Sequence, residues 1–251
     1  MALTCKIALS KFNWVSSGNC HVVGFAWFNS AYFEGQGFAK LVADQSLSFE
    51  KFSAFAAGLN GQFSVLITNE SEIWAFCSQT WNFPLFYRHE NTLAEITDEP
   101  SSLLTQHVKV NPDSFASRYF TIFGVTPANQ TLLPEVFQVL PAELIKISAN
   151  KTERFSIGIN DDEMHSEEQM KPEDAYQKIS KVFERHLSVF ANRLVLLPLT
   201  RGYDSRLLAC LLKKYDYKNV VCATWGRNNN IELATAKRVA DSLGFPHVFI
   251  D

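Results

Sequence analysis

The stretch from Leu194 to Ile250 constrains the fold most, because its hydrophobic period changes repeatedly without a hairpin turn. Leu194 to Leu199 reads as a buried strand, Asp204 to Lys214 as a helix and Asn219 to Trp225 as a second strand. Ile231 to Leu243 reads as a second helix, and His247 to Ile250 starts a third strand. Strands joined through helices need crossover connections, so this region is expected to form a partial α/β parallel sheet. Ligands of such sheets sit at the carboxyl ends of the strands. The first of those ends is Leu199-Thr200-Arg201-Gly202-Tyr203-Asp204-Ser205-Arg206.

Upstream the pattern is β-rich and aromatic. Cys20 to Phe28, Phe63 to Ile67 and Glu72 to Phe76 read as strands, the last two flanking the polar turn Thr68-Asn69-Glu70-Ser71 as a hairpin. Ser48 to Leu59 carries Phe49, Phe52, Phe55 and Ala56 at helical spacing, so a mixed antiparallel sheet with a covering helix, an α+β arrangement, is expected. Pro112 to Gly124 reads as a short helix, and Val136 to Ile147 as strand-like alternation around Pro141. Asp161, Asp162, Glu163, Glu167 and Glu168 crowd a segment with few large apolar residues, which reads as a solvated acidic linker. Beyond it Pro172-Glu173-Asp174 opens a helix whose apolar stripe is Ala175, Ile179, Val182, Phe183, Leu187 and Phe190. A length of 251 residues suits two domains. Their bounds are read as 1–158 and 173–251, with the linker at 159–172.

Composition removes several classes of function. A formal net charge of −3 lacks the basic excess that phosphate backbones select, so no nucleic-acid partner is expected. No apolar run approaches the roughly 18 residues of a membrane helix, and the start lacks a basic region followed by an apolar one. A cytoplasmic chain with no membrane partner is therefore expected. Cys5, Cys20, Cys77, Cys210 and Cys222 are widely spaced and form no CxxC pair, which indicates free thiols rather than a disulfide framework or a zinc site. The six histidines are scattered and read as structural or exposed. Trp14, Trp27, Trp74 and Trp81 read as packing residues.

The segment Thr200 to Ser205 places a hydroxyl residue, a glycine and Asp-Ser at the mouth of a helix. Backbone N–H groups and a Ser hydroxyl gathered there suit an anion such as pyrophosphate. The Lys-Ser/Thr pair of a Walker A loop is missing, and so is GxGxxG. Asp204 and Ser205 have a plainer reading as a helix cap and its neighbour.

These residues resemble the SGGxDS loop of the PP-loop ATP pyrophosphatases, and LPLTRGYDSRLLACLL is similar to the asparagine synthetase-like branch of that group. VVCATWGR and IELATAKRVADSLGFPHVFID resemble the same branch. So, more loosely, do Leu59-Asn60-Gly61-Gln62-Phe63, Phe83 to Tyr87, Gly124, Thr131-Leu132 and Val139 to Glu143 further upstream. The resemblance implies an Ntn-hydrolase (class II glutamine amidotransferase)-like α+β domain, followed by the start of a PP-loop (adenine nucleotide α-hydrolase-like) domain. It implies ATP and Mg²⁺ as cofactors. Thr200, Gly202, Asp204 and Ser205 would surround the β,γ-phosphates, Asp204 would assist Mg²⁺, and the backbone near Leu199 and Trp225-Gly226 would hold adenine. The implied reaction is adenylation of a carboxylate, release of pyrophosphate, and attack by ammonia or an amine to give an amide. Aspartate, another small acid, or a sugar or peptide carboxylate would serve as the acid.

Two departures from that pattern stand out. Arg201 occupies a position where the family has glycine. A positive φ there would cost ~1 kcal/mol or more and the side chain would obstruct phosphate, whereas a guanidinium can instead pair with phosphate bidentately. The family's glutaminase nucleophile is a Cys after the initiator Met, where its α-amino group is the base, but position 2 here is Ala2 and Cys5 is flanked by peptide bonds. An amino-terminal domain without glutamine hydrolysis is therefore expected. The region after the linker holds fewer strands than the family's sheet. It reads as the start of a longer domain, inactive alone, with an unpaired apolar strand edge that favours a homodimer. Two alternatives remain: a non-catalytic nucleotide-binding or interaction module, which Arg201 and Ala2 favour, and another PP-loop ligase acting on a nucleotide or tRNA, which the acidic charge disfavours.

Overall fold

Alternation along the strand Asn60–Thr68 sets the layering of the amino-terminal half: Phe63, Val65 and Ile67 point to one side of it and Ser64 and Leu66 to the other. The computed structural model describes residues 3–104, 110–111, 114–158, 171–190, 192–227 and 231–251, and the chain divides into two units, Met1–His165 and Ser166–Asp251. The first unit contains strands β1 (Thr4–Ala8), β2 (Val15–Ser17), β3 (Cys20–Phe28) and β4 (Ala31–Glu34), then helices α1 (Gly35–Gln45) and α2 (Phe49–Ala57). It continues with β5 (Asn60–Thr68), β6 (Glu72–Cys77), β7 (Phe86–Glu90), β8 (Leu93–Thr97), α3 (Phe115–Phe123), β9 (Phe137–Gln138), β10 (Glu143–Ser148) and β11 (Lys151–Ser156).

A large antiparallel sheet runs β11-β10-β6-β5-β3-β2, with β4 also on β3, and a smaller one runs β1-β8-β7-β9, in which only β1 and β8 are parallel. On one face of the large sheet Phe63, Val65, Ile67, Trp74 and Phe76 meet Phe38, Val42, Phe52 and Phe55 of α1 and α2. On the other face Leu66, Ile73, Ala75, Ile145 and Ile147 meet Tyr87, Ala94 and Ile96 of the small sheet. The unit is thus an α+β fold on antiparallel sheets, with both faces of its main sheet buried.

Local signals account for several of these elements. Ser48 caps α2 by accepting from the Lys51 amide, and Ser114 caps α3 by accepting from Ser117. Gly124 ends α3 at φ 72°, the left-handed position that favours glycine. Residues 112–113 of the expected helix lie outside the described residues. The alternation expected over Val136 to Ile147 is two strands in different sheets. Pro141 has no amide to donate, and Ala142 at φ 56° turns the chain from β9 to β10. Helix α1 had no sequence signal: Glu34 precedes it without a side-chain cap, and Gly35 and Gly37 weaken its first turn. Burial of Phe38, Ala39 and Val42 holds it in place.

Asp98 is fully buried, and its carboxylate accepts from the amides of Ser10, Lys11 and Phe12 at 2.9–3.1 Å and from the Trp14 indole at 2.9 Å. Four donors on one carboxylate fix the segment that follows β1.

The second unit holds α4 (Pro172–Phe190), β12 (Val195–Pro198), α5 (Tyr203–Lys214), β13 (Val220–Trp225), α6 (Ile231–Leu243) and β14 (His247–Ile250). Its strands are parallel in the order β12-β13-β14, as the missing hairpins require. Leu197, Leu199, Val220 and Cys222 pack with Phe183 and Leu187 of α4, Ala209 and Leu212 of α5, and Ala236 and Ala240 of α6. The expectation of a wholly buried first strand fails at Leu196, which is 55% exposed beside Leu197 at 5%. The helices share one cluster on one sheet face, and β12 lies at the sheet's edge. Of the expected acidic linker, residues 159–170 lie outside the described residues. No helix among the described residues is long and apolar enough to cross a membrane.

Candidate functional site

The loop between β12 and α5 begins at Leu199, whose side chain is fully buried and whose amide donates to the Ala223 carbonyl at 2.8 Å. Thr200 and Ser205 then close the loop on itself. The Thr200 amide donates to Ser205 Oγ at 3.1 Å, the two hydroxyls lie 3.1 Å apart, and Thr200 Oγ1 accepts from the Gly202 amide at 3.1 Å. These bonds hold the turn before the helix and bring both hydroxyls to the helix mouth.

Helix α5 has Gly202 as its N-cap, with no side chain to receive the first-turn amides. The plainer reading of Asp204 as the cap is therefore corrected. Asp204 is the second helical residue and exposed, a carboxylate in the first turn where the helix dipole is positive. Ser205 is the third, and its hydroxyl faces back to Thr200 instead of capping forward. An uncapped helix start at the carboxyl end of a parallel strand presents N–H donors to a negatively charged group.

The conformational objection to Arg201 falls away. Arg201 lies outside the left-handed region, and Gly202 sits at φ −65°, ψ 157°, an extended conformation open to any residue. A Cβ at Gly202 would meet only Thr200 Oγ1, at 3.2 Å. Arg201 is exposed at the loop surface, and the neighbouring Arg206 guanidinium donates from Nε to the Gly202 carbonyl at 3.2 Å while lying 4.5 Å from the Tyr203 ring centroid. Trp225 is half exposed at the end of β13, and Gly226 follows at φ 140°, its amide donating to the Ile250 carbonyl at 3.2 Å. All the residues read from sequence as one site, Leu199 to Ser205 with Trp225 and Gly226, thus lie at the carboxyl ends of two adjacent strands.

Sequence reasoning missed two side chains that support this loop. Thr224, 3% exposed, donates its hydroxyl to the Leu199 carbonyl at 2.7 Å and lies 2.9 Å from His247 Nε2 on β14. The only signal was a polar residue inside an apolar strand run.

In the first unit, Ala2 lies outside the described residues. Cys5 sits in β1 opposite Ala94; although the residue is exposed, desolvation of its sulfur pushes the thiol up to about 11, which keeps it protonated at neutral pH. Cys77 is buried between the sheets, and burial pushes its thiol up to about 12. The Asn60-Gly61 pair has a packing role. A Cβ at Gly61 would come within 2.3 Å of the Phe25 carbonyl oxygen, so β3 and β5 approach each other only over glycine.

No protein-family model and no curated protein matches this chain. Among solved structures it is similar to glutamine phosphoribosylpyrophosphate (PRPP) amidotransferase from B. subtilis complexed with ADP and GMP. That match has 11% identity over 96% of this chain and 73% of that one, with a TM-score of 0.34. It is also similar to a structure described as the allosteric regulatory enzyme of purine biosynthesis, at 13% identity over 95% of this chain and 47% of that one, with a TM-score of 0.35.

Proposed function

We propose that the Thr200–Ser205 loop binds the phosphates of ATP and that the protein serves ATP-dependent amide formation through an acyl-adenylate. The observation that carries the reading is the uncapped start of α5 at Gly202, flanked by the paired Thr200 and Ser205 hydroxyls at the carboxyl end of β12. First-turn amides, hydroxyls and a helix dipole gathered in one loop stabilise a departing pyrophosphate, the Thr200 and Ser205 hydroxyls turning from each other toward it.

Among the described residues no group of three or more His, Cys, Asp or Glu side chains forms a cage for a metal ion. Mg²⁺ needs no such cage when phosphates supply its other oxygens, and the exposed Asp204 carboxylate in the first turn of α5 fits that mode. When bound, the ion would neutralise charge on the leaving phosphates. In the reaction, a carboxylate oxygen bonds to the α-phosphorus as the α,β-anhydride bond breaks and pyrophosphate leaves. Ammonia then attacks the acyl carbon, AMP departs and the nitrogen loses a proton. Arg201, free of backbone strain at the rim of the loop, supplies a guanidinium for phosphate.

Calorimetric titration with ATP and Mg²⁺ tests the binding. Thr200→Ala combined with Ser205→Ala should weaken affinity about tenfold, the effect of one or two lost hydrogen bonds to charged groups. Unchanged affinity removes the loop from the site. Pyrophosphate release, screened across small carboxylates with ammonia, tests the chemistry. Binding without release from any acid favours the second reading, a nucleotide-binding module.

A further inference from the structure

We propose that Thr224 is a positioning residue for the phosphate loop, clamping the carbonyl from which the loop departs while His247 holds the clamp; the proposal rests on the ATP-loop reading above.

The Thr224 hydroxyl has one proton, and at 2.7 Å from the Leu199 carbonyl oxygen it spends that proton there. Its oxygen then accepts, so His247 Nε2, 2.9 Å away, is the donor. The chain His247 to Thr224 to Leu199 thereby crosses all three strands of the sheet. Both backbone groups of Leu199 are engaged, the amide by Ala223 and the carbonyl by Thr224. The next residue, Thr200, carries the first hydroxyl of the loop. Thr224 stands among Leu199, Cys222 and Ala223, all fully or nearly fully buried, and a valine of the same shape would pack there without burying a hydroxyl. A buried hydroxyl costs free energy unless it does something the apolar isostere cannot, and here it fixes the direction in which the loop leaves the strand.

The test compares wild type, Thr224→Val and Thr224→Ser in the full chain by amide hydrogen exchange and by titration with ATP and Mg²⁺. Thr224→Val should speed exchange across residues 199–206 about tenfold while leaving α6 unchanged, and Thr224→Ser, which keeps the hydroxyl, should restore the wild-type rate. The same ordering is expected in ATP affinity, with Thr224→Val about tenfold weaker and Thr224→Ser close to wild type. Faster exchange spread evenly over the whole second unit, or no change in the loop, overturns the positioning role and leaves Thr224 as packing. Wild-type protein that fails to bind ATP overturns the nucleotide reading instead, and the exchange data then decide the clamp by themselves.

Discussion

The two units use buried polar groups in opposite ways. In Met1–His165 the main sheet is covered on both faces, by two helices and by a second sheet, and its buried polar side chains serve the fold. Asp98 ties down the segment after β1. Glu143, 7% exposed, accepts from the Leu140 amide at 2.8 Å and from Arg154 Nε at 2.6 Å, and Ser64 donates to the Phe83 carbonyl. In Ser166–Asp251 the helices cluster on one face of the parallel sheet, Leu196, Val248 and Ile250 stay exposed, and the buried hydroxyl of Thr224 meets the Leu199 carbonyl, where the β12–α5 loop departs. A parallel sheet normally hides both faces, and this difference in burial predicts that the second unit is the less tightly held.

The largest effect that bears on this contrast is expected from core truncation. Phe63→Ala should cost about 3–5 kcal/mol and Leu197→Ala about 2–3 kcal/mol, because the first removes a ring packed on Phe38 and Phe76 and the second lies in a thinner layer. Denaturant unfolding followed by tryptophan emission reads the first unit, which holds Trp14, Trp27, Trp74 and Trp81, and amide hydrogen exchange against denaturant reads the second. Equal losses would erase the difference between the units.

Asp98→Asn should cost roughly 2–3 kcal/mol, since one of the carboxylate's oxygens becomes a donor facing backbone amides. The same unfolding measurement checks it. A loss below 0.5 kcal/mol, the range of an ordinary surface change, would show that the segment after β1 is held by packing alone.

The smallest effect is kinetic. Iodoacetamide should modify exposed Cys210 of the second unit first, and Cys5 more slowly, with a rate that climbs as pH approaches its raised value of about 11. Cys20, Cys77 and Cys222 should react only on unfolding. Peptide mass mapping against time gives the order, and early labelling of Cys77 would mean that the two sheets of the first unit part readily.

Much of the fold was legible in particular residues. Phe49, Phe52, Phe55 and Ala56 announced α2, the Thr68–Ser71 turn announced the β5–β6 hairpin, and Gly124 marked the end of α3. Helix α1 was hidden, because its glycines and uncapped start oppose it locally and only the burial of Phe38 and Val42 favours it. The split of β9 from β10 was hidden for a related reason: alternation reports which face a residue takes and never which sheet it joins. The candidate loop was legible as hydroxyl, glycine and Asp-Ser at a strand-to-helix junction. Its supporting residues were not, since Thr224 and His247 are far from the loop in sequence and join it only across strands.

The sequence by itself determined α2, α3, the β5–β6 hairpin and the strand–helix alternation of the second unit, that the strands of that unit run parallel, and that a hydroxyl, a glycine and Asp-Ser stand at the end of the first of them. Period, caps and connection lengths are local quantities, and a linear text carries them. The tertiary structure decided that Gly202 and not Asp204 caps α5, that Arg201 sits without strain, that Gly61 is needed for a close approach of two strands, and that the buried Thr224 hydroxyl meets the Leu199 carbonyl. The first two follow from hydrogen bonds and dihedrals within the loop, which residue types alone leave open; the last two depend on atoms brought together from distant positions, whose distances only packing in three dimensions sets.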